Sequence, residues 1–213
     1  MLFLLAPAHA QVRHHYDFDE SQLSAEWQFL GKPDMSKYVL RDGKLRLYGD
    51  IFEVKEHETT TFLALPQRDR QFVAETRIVT FDDDNGDEAG LCLFRSDSCF
   101  AQLLLGNYRN EHRLRLRFQL KSHNWIMAER HMTRRVDEIW LRIACDGQFY
   151  RFFFSTNGKD FEQLDAIECS LMSPLIAGSE APALIGPYAF TGTTKYQMGY
   201  AYADFDYFDY QGQ

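Results

Sequence analysis

The sequence is short of three features that would place it in a familiar class: proline, closely spaced cysteines and long apolar runs. Six prolines stand against 18 phenylalanines and 11 tyrosines in 213 residues, which excludes a disordered chain because so many aromatic side chains can build a core. Four cysteines without a CxxC pair exclude a small disulfide scaffold and a cysteine-rich zinc site. No apolar run is long enough to cross a bilayer, so we predict no membrane span.

Positive charge is also in deficit, with 23 lysines and arginines against 31 acidic residues and a formal net charge of −8. Such a chain is a poor partner for nucleic acid or anionic membranes, and we predict neither. Two local charge runs are interpreted as solvated. Arginines at positions 113, 115 and 117 alternate with apolar residues, as on the wet face of a half-buried strand. The acidic residues 82–88 (DDDNGDE) do not fit the EF-hand spacing and predict a hydrated turn.

Recognisable catalytic motifs are missing as well. The sequence has no HExxH for catalytic zinc, no GxSxG nucleophile elbow, and no alternating run of acids on one strand. Two acid pairs, Asp17 with Asp19 and Asp204 with Asp206, lie near the termini beside aromatic residues that we expect to be buried. We therefore assign no catalytic residue and expect no catalysis by this chain on its own.

What the sequence does contain is a β-strand pattern. Residues 188–210 (YAFTGTTKYQMGYAYADFDYFDY) end in an alternation of large aromatic with small or acidic residues, and the phase slips at Asp204, where we predict a bulge. We expect the alternating part, residues 199–210, to form a central strand with a buried face. A second Asp-Phe-Asp, at residues 17–19, predicts a first strand that pairs with the last one.

Turn signals separate further strands about every 8–12 residues. Asp42-Gly43 and Asp146-Gly147 each predict a tight hairpin turn, and residues 171–187 are expected to hold a short helix or a meander. The sequence has no long helical periodicity and no repeat at a fixed period. The predicted fold class is all-β: a two-sheet antiparallel β-sandwich, or jelly roll, formed by residues 11–213 as a single domain.

The four cysteines are Cys92, Cys99, Cys145 and Cys169. Cys145 ends an alternating apolar run, which predicts a buried free thiol because unpaired cysteines are usually buried. The spacing does not decide whether any of the four form disulfides.

The first ten residues, MLFLLAPAHA, are interpreted as the remnant of a signal peptide. Their apolar stretch and Ala-His-Ala ending fit a signal-peptidase site, although the basic start and longer apolar core of a full signal are missing. We therefore predict export to the periplasm or the cell exterior. The alternative is an ordinary N-terminus without a targeting role.

Several short motifs follow one another in an order that resembles a known module. In chain order they are YDFD at 16–19 with Glu26-Trp27, KLRLYG at 44–49, EAGL at 88–91, FSTNGKDF at 154–161, FTG at 190–192, and ADFDYF at 203–208 before Tyr210. Together they resemble the C-terminal β-sandwich module of family 43 glycoside hydrolases, the β-xylosidases and arabinofuranosidases. The resemblance covers residues 16–210 and implies a concanavalin A-like sandwich.

In that family the catalytic acids lie on a five-bladed propeller that precedes the sandwich, and we expect this chain to lack the propeller. The resemblance therefore implies a non-catalytic, carbohydrate-associated module. Its partner would be a plant-type glycan, such as xylan or an arabinose-containing glycan, or a glycosidase catalytic domain. Two alternatives stay open: a small glycan-active hydrolase with an unrecognised acid pair, and a purely structural or oligomerisation domain.

Two aromatic residues are the predicted contact points for carbohydrate or for docking. The resemblance places Phe190 in a loop that reaches toward the propeller's sugar pocket, and Gly186, Pro187 and Gly192 also predict turns around it. Trp125 lies in a polar context and is the aromatic for which we predict the greatest exposure, so that its ring can stack on a sugar. For both residues the alternative is packing in the core.

A calcium ion is the predicted cofactor, held by Asp17 and Asp206 as a structural site. The two residues occupy matching places on strands that we expect to be neighbours, and close carboxylates repel unless a cation neutralises them. Calcium accepts such oxygen ligands in flexible geometry, and the resemblance to concanavalin A-like sandwiches also implies it. The alternative is two exposed acids at strand ends.

Overall fold

The computed structural model describes residues 13–32, 34–56, 61–136, 138–192 and 201–213. The predicted leader, residues 1–10, lies outside the described residues. Within these ranges, no helix combines the length and the apolar character that crossing a membrane requires.

Fifteen strands and four short helices are found in the described ranges. The strands are β1 Arg13–Tyr16, β2 Gln28–Phe29, β3 Tyr38–Arg41, β4 Lys44–Tyr48, β5 Thr61–Pro66, β6 Phe72–Asp82, β7 Glu88–Ser96, β8 Cys99–Tyr108, β9 Glu111–Leu120, β10 His123–His131, β11 Ile139–Cys145, β12 Phe149–Ser155, β13 Glu162–Glu168, β14 Leu184–Phe190 and β15 Tyr202–Gly212. The helices are the α-helix α1, Pro174–Ala177, and three 3-10 turns, Met35–Lys37, Val54–Glu56 and Cys169–Met172.

The strands form two sheets packed face to face. The first has the order β13-β12-β11-β6-β15-β4-β3, with β1 also paired to β15, and the second has the order β10-β9-β8-β7-β14-β5-β2. Neighbouring strands run antiparallel in both sheets. The predicted fold class, a two-sheet antiparallel β-sandwich, is confirmed.

The last strand, β15, is central to the first sheet, as predicted. It lies between β6 and β4, and it also pairs with β1, where Tyr16 stands opposite Phe208. Its ladder with β6 shifts register between Asp204 and Phe205 and again between Phe205 and Tyr207. The predicted irregularity at Asp204 is therefore confirmed, and it extends a few residues further along the strand.

The first strand is shorter than predicted, because the Asp-Phe-Asp at residues 17–19 lies outside it. β1 ends at Tyr16, and Phe18 adopts a positive φ of 58°. A residue in this conformation cannot continue a β-ladder. The chain turns here so that Phe18 is buried and its ring packs against Trp27, with 6.0 Å between the ring centroids.

Apolar residues are buried on both faces of the second sheet. The main core lies between the sheets and includes Phe72, Phe152, Phe205 and Phe208. A smaller group of buried residues, the outer cluster, lies on the other face of the second sheet. It consists of Leu30, Val54, Phe62, Ala64, Cys92, Phe94, Phe100, Leu104 and Tyr188. Leu30 and Val54 come from connecting segments, so loops cover part of the outer face of this sheet.

Both Asp-Gly turns are confirmed. Asp42 and Gly43 have φ values of 52° and 65°, the left-handed pair that a two-residue hairpin turn requires. Gly147 likewise has a φ of 86°.

Two strands were not predicted, β10 and β14. Gly186 and Pro187, interpreted above as turn residues, lie inside β14. A Cβ on Gly186 would clash with the backbone oxygen of Leu63 on β5, so glycine is needed here for close approach of two strands. Phe190 is consequently the last residue of a strand, and the prediction that it lies in a loop was wrong.

Candidate functional site: the Phe190 end of the sandwich

One end of the sandwich, which we call the Phe190 end, gathers three segments around the end of β14. They are residues 49–56 between β4 and β5, residues 83–87 between β6 and β7, and residues 190–192. Neighbouring strands run in opposite directions, so the carboxyl end of β14 lies beside the ends of the adjoining strands. The three segments attached to these strand ends therefore meet.

The backbone of residues 190–192 is held from two sides. The Thr191 N–H donates to the carbonyl oxygen of Asp50 at 2.9 Å. The Gly192 N–H donates to Oδ1 of Asp87 at 2.8 Å. One bond comes from each neighbouring segment, so the end of β14 is fixed relative to both.

Close packing adds to these hydrogen bonds. A Cβ on Gly49 would lie 2.6 Å from the carbonyl carbon of Phe190, so the two backbones approach this closely only because residue 49 is glycine. The Phe190 side chain is partly buried and packs against the outer cluster. The result is a partly exposed aromatic ring on a firmly held backbone.

The anchors Asp50 and Asp87 are themselves buried, at 5% and 0% exposure. Asp50 Oδ2 lies 3.3 Å from Nζ of the equally buried Lys37, and the second oxygen of Asp87 accepts the N–H of Asp84 at 2.6 Å. Buried carboxylates are tolerated when they are paired in this way, and removing a partner is strongly destabilising. Both groups are therefore structural supports of the Phe190 end.

Asp83 is the centre of a third buried group at this end. Its carboxylate, whose side chain is fully buried, accepts hydrogen bonds from Asn107 Nδ2 at 2.6 Å, His112 Nε2 at 3.2 Å and Arg135 at 3.0 Å. His112 Nδ1 accepts the N–H of Val136, so Nε2 carries the proton and donates it to Asp83. Burial alone would raise the pKa of the Asp83 carboxyl, but the hydrogen bonds from His112 and Asn107 hold it below its ordinary value.

These contacts correct the interpretation of residues 82–88 as a hydrated turn. Asp83, Asp87 and Glu88 point into the protein, while Asp84 remains exposed. A run of acidic residues is predicted to be solvated when only the charges within the run are considered. Here the compensating donors come from distant strands and from the backbone of Gly192.

The arginines of β9 also differ from expectation. Arg117 contacts the buried Glu88, and Arg113 and Arg115 both pair with Glu129 on β10. The side chains of all three arginines are 17–21% exposed, and the wet face that we predicted is an internal ion-pair ladder. These cations already have carboxylate partners, so the ladder is neutralised within the protein.

The described residues do not gather three or more histidine, cysteine or acidic side chains in the way that a metal ion would need. Of the two predicted calcium ligands, Asp206 pairs with Arg77 at 3.0 Å. The other, Asp17, follows β1 and accepts the N–H of Asp19 at 3.2 Å. The calcium site stays a prediction.

Trp125 lies near the start of β10, where it pairs with Phe118 of β9. It is 43% exposed, and its neighbours Ile126 and Met127 are 53% and 41% exposed, so the expected exposure of Trp125 is confirmed. The Trp125 ring stacks on His123, with 5.3 Å between centroids and 9° between planes. We call these four residues, 123 and 125–127, the Trp125 patch.

The two predicted aromatics are not brought together. Both regions include a residue of β9: His112 belongs to the Phe190 end, and Phe118 lies beneath the Trp125 patch. His112 and Phe118 are six residues apart in an extended strand, which separates them by about 20 Å. Phe190 and Trp125 therefore cannot share one small binding site.

Sequence reasoning missed the supports of Phe190, namely Asp50, Asp83, Asp87, Asn107 and His112. One signal was available for His112. His112 is two and four residues before Leu114 and Leu116 on β9, so its side chain is predicted to face inward with theirs. A buried polar side chain needs a hydrogen-bond partner. The partner itself, Asp83, is 29 residues away in the chain, and no local pattern connects them.

With this geometry established, comparisons with known proteins identify what the chain is similar to. Residues 15–211 match the family described as beta xylosidase C-terminal concanavalin A-like domain. A relative from Escherichia coli (strain K12), described as "Putative beta-xylosidase", is 27% identical over 205 residues. The match covers 92% of this chain but only 38% of the relative.

Solved structures give the same proportions. The GH43 protein BlXynB from Bacillus licheniformis superimposes with a TM-score of 0.83 at 21% identity, covering 93% of this chain and 39% of that one. A xylan beta-1,4-xylosidase from Bacillus halodurans gives 0.83 at 18% identity, with 98% and 41% covered. At these identities the likeness establishes the fold, and this chain spans about two fifths of the length of the proteins that it matches.

Proposed function

This chain belongs to the family of β-xylosidase C-terminal concanavalin A-like domains, and we propose that it is a non-catalytic accessory module that docks on a family 43 glycosidase catalytic domain through the Phe190 end. Phe190 is the anchoring side chain, in keeping with the resemblance of FTG at 190–192 to the loop that faces the propeller. The partner is a catalytic domain, and any glycan contact at this end is made jointly with it.

The observation that carries the proposal is the firm support beneath Phe190. Its backbone neighbours are bonded to Asp50 and Asp87, and Gly49 packs against it. A surface that is ordered before binding loses little conformational entropy when a partner arrives. A partly exposed aromatic ring on such a base is typical of the residues that dominate binding energy.

The chemistry of the same end favours a non-catalytic role. Glycoside hydrolysis commonly needs one carboxyl group that donates a proton and a second that attacks or activates water. Asp50, Asp83 and Asp87 are each engaged in holding loops. The pKa of Asp83 is lowered by its hydrogen bonds from His112 and Asn107 despite the opposing effect of burial, which is opposite to the raised pKa of a general acid.

A domain exchange tests the proposal. In the Escherichia coli relative, the part that this chain matches is replaced by this chain, and hydrolysis of an aryl β-xyloside is measured. If the chain docks through Phe190, the chimera is active and Phe190→Ala lowers kcat/KM by about tenfold, the effect of losing about 1.4 kcal/mol of transition-state stabilisation. The matched control is Trp125→Ala, an aromatic truncation at the other end, which should leave kcat/KM unchanged.

Two results contradict the proposal. The first is a Phe190→Ala chimera as active as the unsubstituted one. The second is hydrolysis by the isolated chain that disappears when a single Asp or Glu of this chain is replaced, which would favour the alternative of a small glycan-active hydrolase.

The Trp125 patch supports a second candidate function, binding of a xylan-type or arabinose-containing glycan. A ring that is 43% exposed offers apolar surface to the C–H face of a sugar, as aromatic side chains with a partly wet face do at interfaces. This function and docking at the Phe190 end are compatible, since the two surfaces lie at opposite ends of the sandwich.

A further inference from the structure

Two of the four cysteines are in direct contact. Sγ of Cys145, at the end of β11, lies 3.6 Å from Sγ of Cys169, which begins the turn after β13. The two residues are 24 positions apart in sequence. The backbone holds them together, because Cys145 pairs with Tyr150 on β12 and the Cys169 N–H donates to the carbonyl oxygen of Gln148.

The other two cysteines have different surroundings. Cys92 belongs to the outer cluster, and Cys99 belongs to the main core, where its thiol lies 3.5 Å from the carbonyl oxygen of Leu171. Both are fully buried. Cys169, by contrast, is partly exposed, so the contacting pair has a route to solvent that the others lack.

We propose that Cys145 and Cys169 are a disulfide-forming pair, which joins the β11–β12 hairpin to the turn that follows β13. The two sulfur atoms already touch, and side-chain rotation has to close the gap from 3.6 Å to a bond of about 2.05 Å. The inference does not depend on the docking proposal, since it concerns the opposite end of the first sheet.

The chemistry is thiol–disulfide exchange with a small-molecule disulfide such as oxidised glutathione as the oxidant. The Cys169 thiol loses its proton to water, its thiolate attacks one glutathione sulfur, and the other glutathione leaves as a thiolate. The Cys145 thiolate then attacks Sγ of Cys169, and the second glutathione leaves. In total the two cysteines lose two electrons and two protons, and one oxidised glutathione is reduced to two thiols.

Burial raises the pKa of the Cys169 thiol to about 12, with a further contribution from its contact with Cys145. Little thiolate is present at neutral pH, so exchange in the folded protein is slow. The decisive experiment therefore forms the bond during refolding, when both thiols are accessible.

The reduced chain is unfolded and refolded in a glutathione redox buffer, remaining thiols are blocked by alkylation, and the protein is digested without reduction for mass spectrometry. We expect one linked peptide pair, Cys145 with Cys169, while Cys92 and Cys99 are alkylated. The oxidised form should also melt roughly 5–10 °C above the reduced form, because the cross-link restricts the unfolded chain.

Variants sharpen the assignment. Cys169→Ala should abolish the linked peptide, and Cys99→Ala should leave it in place. Recovery of four alkylated cysteines from the refolded wild-type chain would overturn the proposal, as would a linkage through Cys92 or Cys99. Because the wild-type measurement needs no substitution, it stands even if a variant fails to fold.

Discussion

The Phe190 end and the Trp125 patch contain the two predicted contact residues, and different kinds of side chain form the two surfaces. At the Phe190 end, the charged side chains of Asp83, Asp87 and Lys37 are buried and hold loops by hydrogen bonds and an ion pair. At the Trp125 patch, apolar side chains of an edge strand are exposed and held by stacking. Buried hydrogen bonds have strict geometry, whereas stacking tolerates displacement.

The difference indicates what each surface suits. A partner that must place an aromatic ring at a defined position needs a fixed base, which the Phe190 end provides. A repetitive polymer can be bound in several registers, and a few exposed apolar side chains are sufficient for that. Substitutions at the two places should therefore differ greatly in their effect on stability.

The largest expected effect is that of Asp83→Ala. The substitution leaves the donors of Asn107 and His112 buried without an acceptor, and breaking a buried charged group away from its partners costs about 3–5 kcal/mol. The free energy of unfolding, measured by urea denaturation, should fall by that amount. The matched control is Asp84→Ala, in the same loop with the same charge but exposed, which should change stability by less than about 0.5 kcal/mol. Equal losses in the two variants would show that the buried group does not support this end.

The next effect concerns pH. A carboxyl whose pKa is lowered by folding stabilises the protein above its unfolded pKa, and this contribution is lost as the pH falls through the folded value. Asp83 is such a group, with hydrogen bonds that outweigh the opposing effect of burial. The stability difference between the wild type and Asp83→Asn should therefore shrink between about pH 7 and about pH 3. Denaturation midpoints measured across this range test it, and a constant difference would contradict it.

The contrast between the two ends also explains which features could be predicted from the sequence. The sandwich, the pairing of the terminal strands and both Asp-Gly turns were predicted from alternation and turn residues, and the exposure of Trp125 from its polar neighbours; all of these are local properties. The hydrogen bonds that Asp83 accepts from Asn107 and His112, and the one that Asp87 accepts from Gly192, join residues 24–105 positions apart. No local pattern specifies these bonds. The acidic residues 82–88 were therefore interpreted as a solvated turn.

Glycine and proline caused a different error. Gly186 and Pro187 have the composition of a turn, but in β14 the glycine is there because the neighbouring backbone is too close for a Cβ. Close approach of two strands is a property of the assembled sheet. It requires glycine, and a glycine in the sequence also indicates a turn, so the two cases look alike. The position of Phe190 at a strand end follows from the sheet and not from its neighbours in sequence.

A smaller effect is expected for Phe190→Ala. The ring is partly exposed and packs against the edge of the outer cluster, so its truncation should lower stability by less than about 1.5 kcal/mol, well below the cost at a fully buried site. Phe62→Ala is the control, a fully buried member of the same cluster, for which about 3–5 kcal/mol is expected. Urea denaturation of both variants gives the comparison. A loss at Phe190 as large as that at Phe62 would make it a core residue and remove it from the docking surface.

The smallest expected effect on stability is that of Trp125→Ala. The side chain is 43% exposed and stacks on His123, and an aromatic pair contributes about 0.5–1.5 kcal/mol. Trp125 also stacks over the buried Phe118, with 6.3 Å between ring centroids, but His123 is itself exposed, so we expect a loss in the lower half of that range. If the patch binds glycan, the same variant should lose its signal on an array of xylan-type and arabinose-containing oligosaccharides, while Phe190→Ala of the isolated chain keeps it. Retention of glycan binding by Trp125→Ala, with loss in Phe190→Ala, would assign carbohydrate contact to the Phe190 end and reverse the comparison.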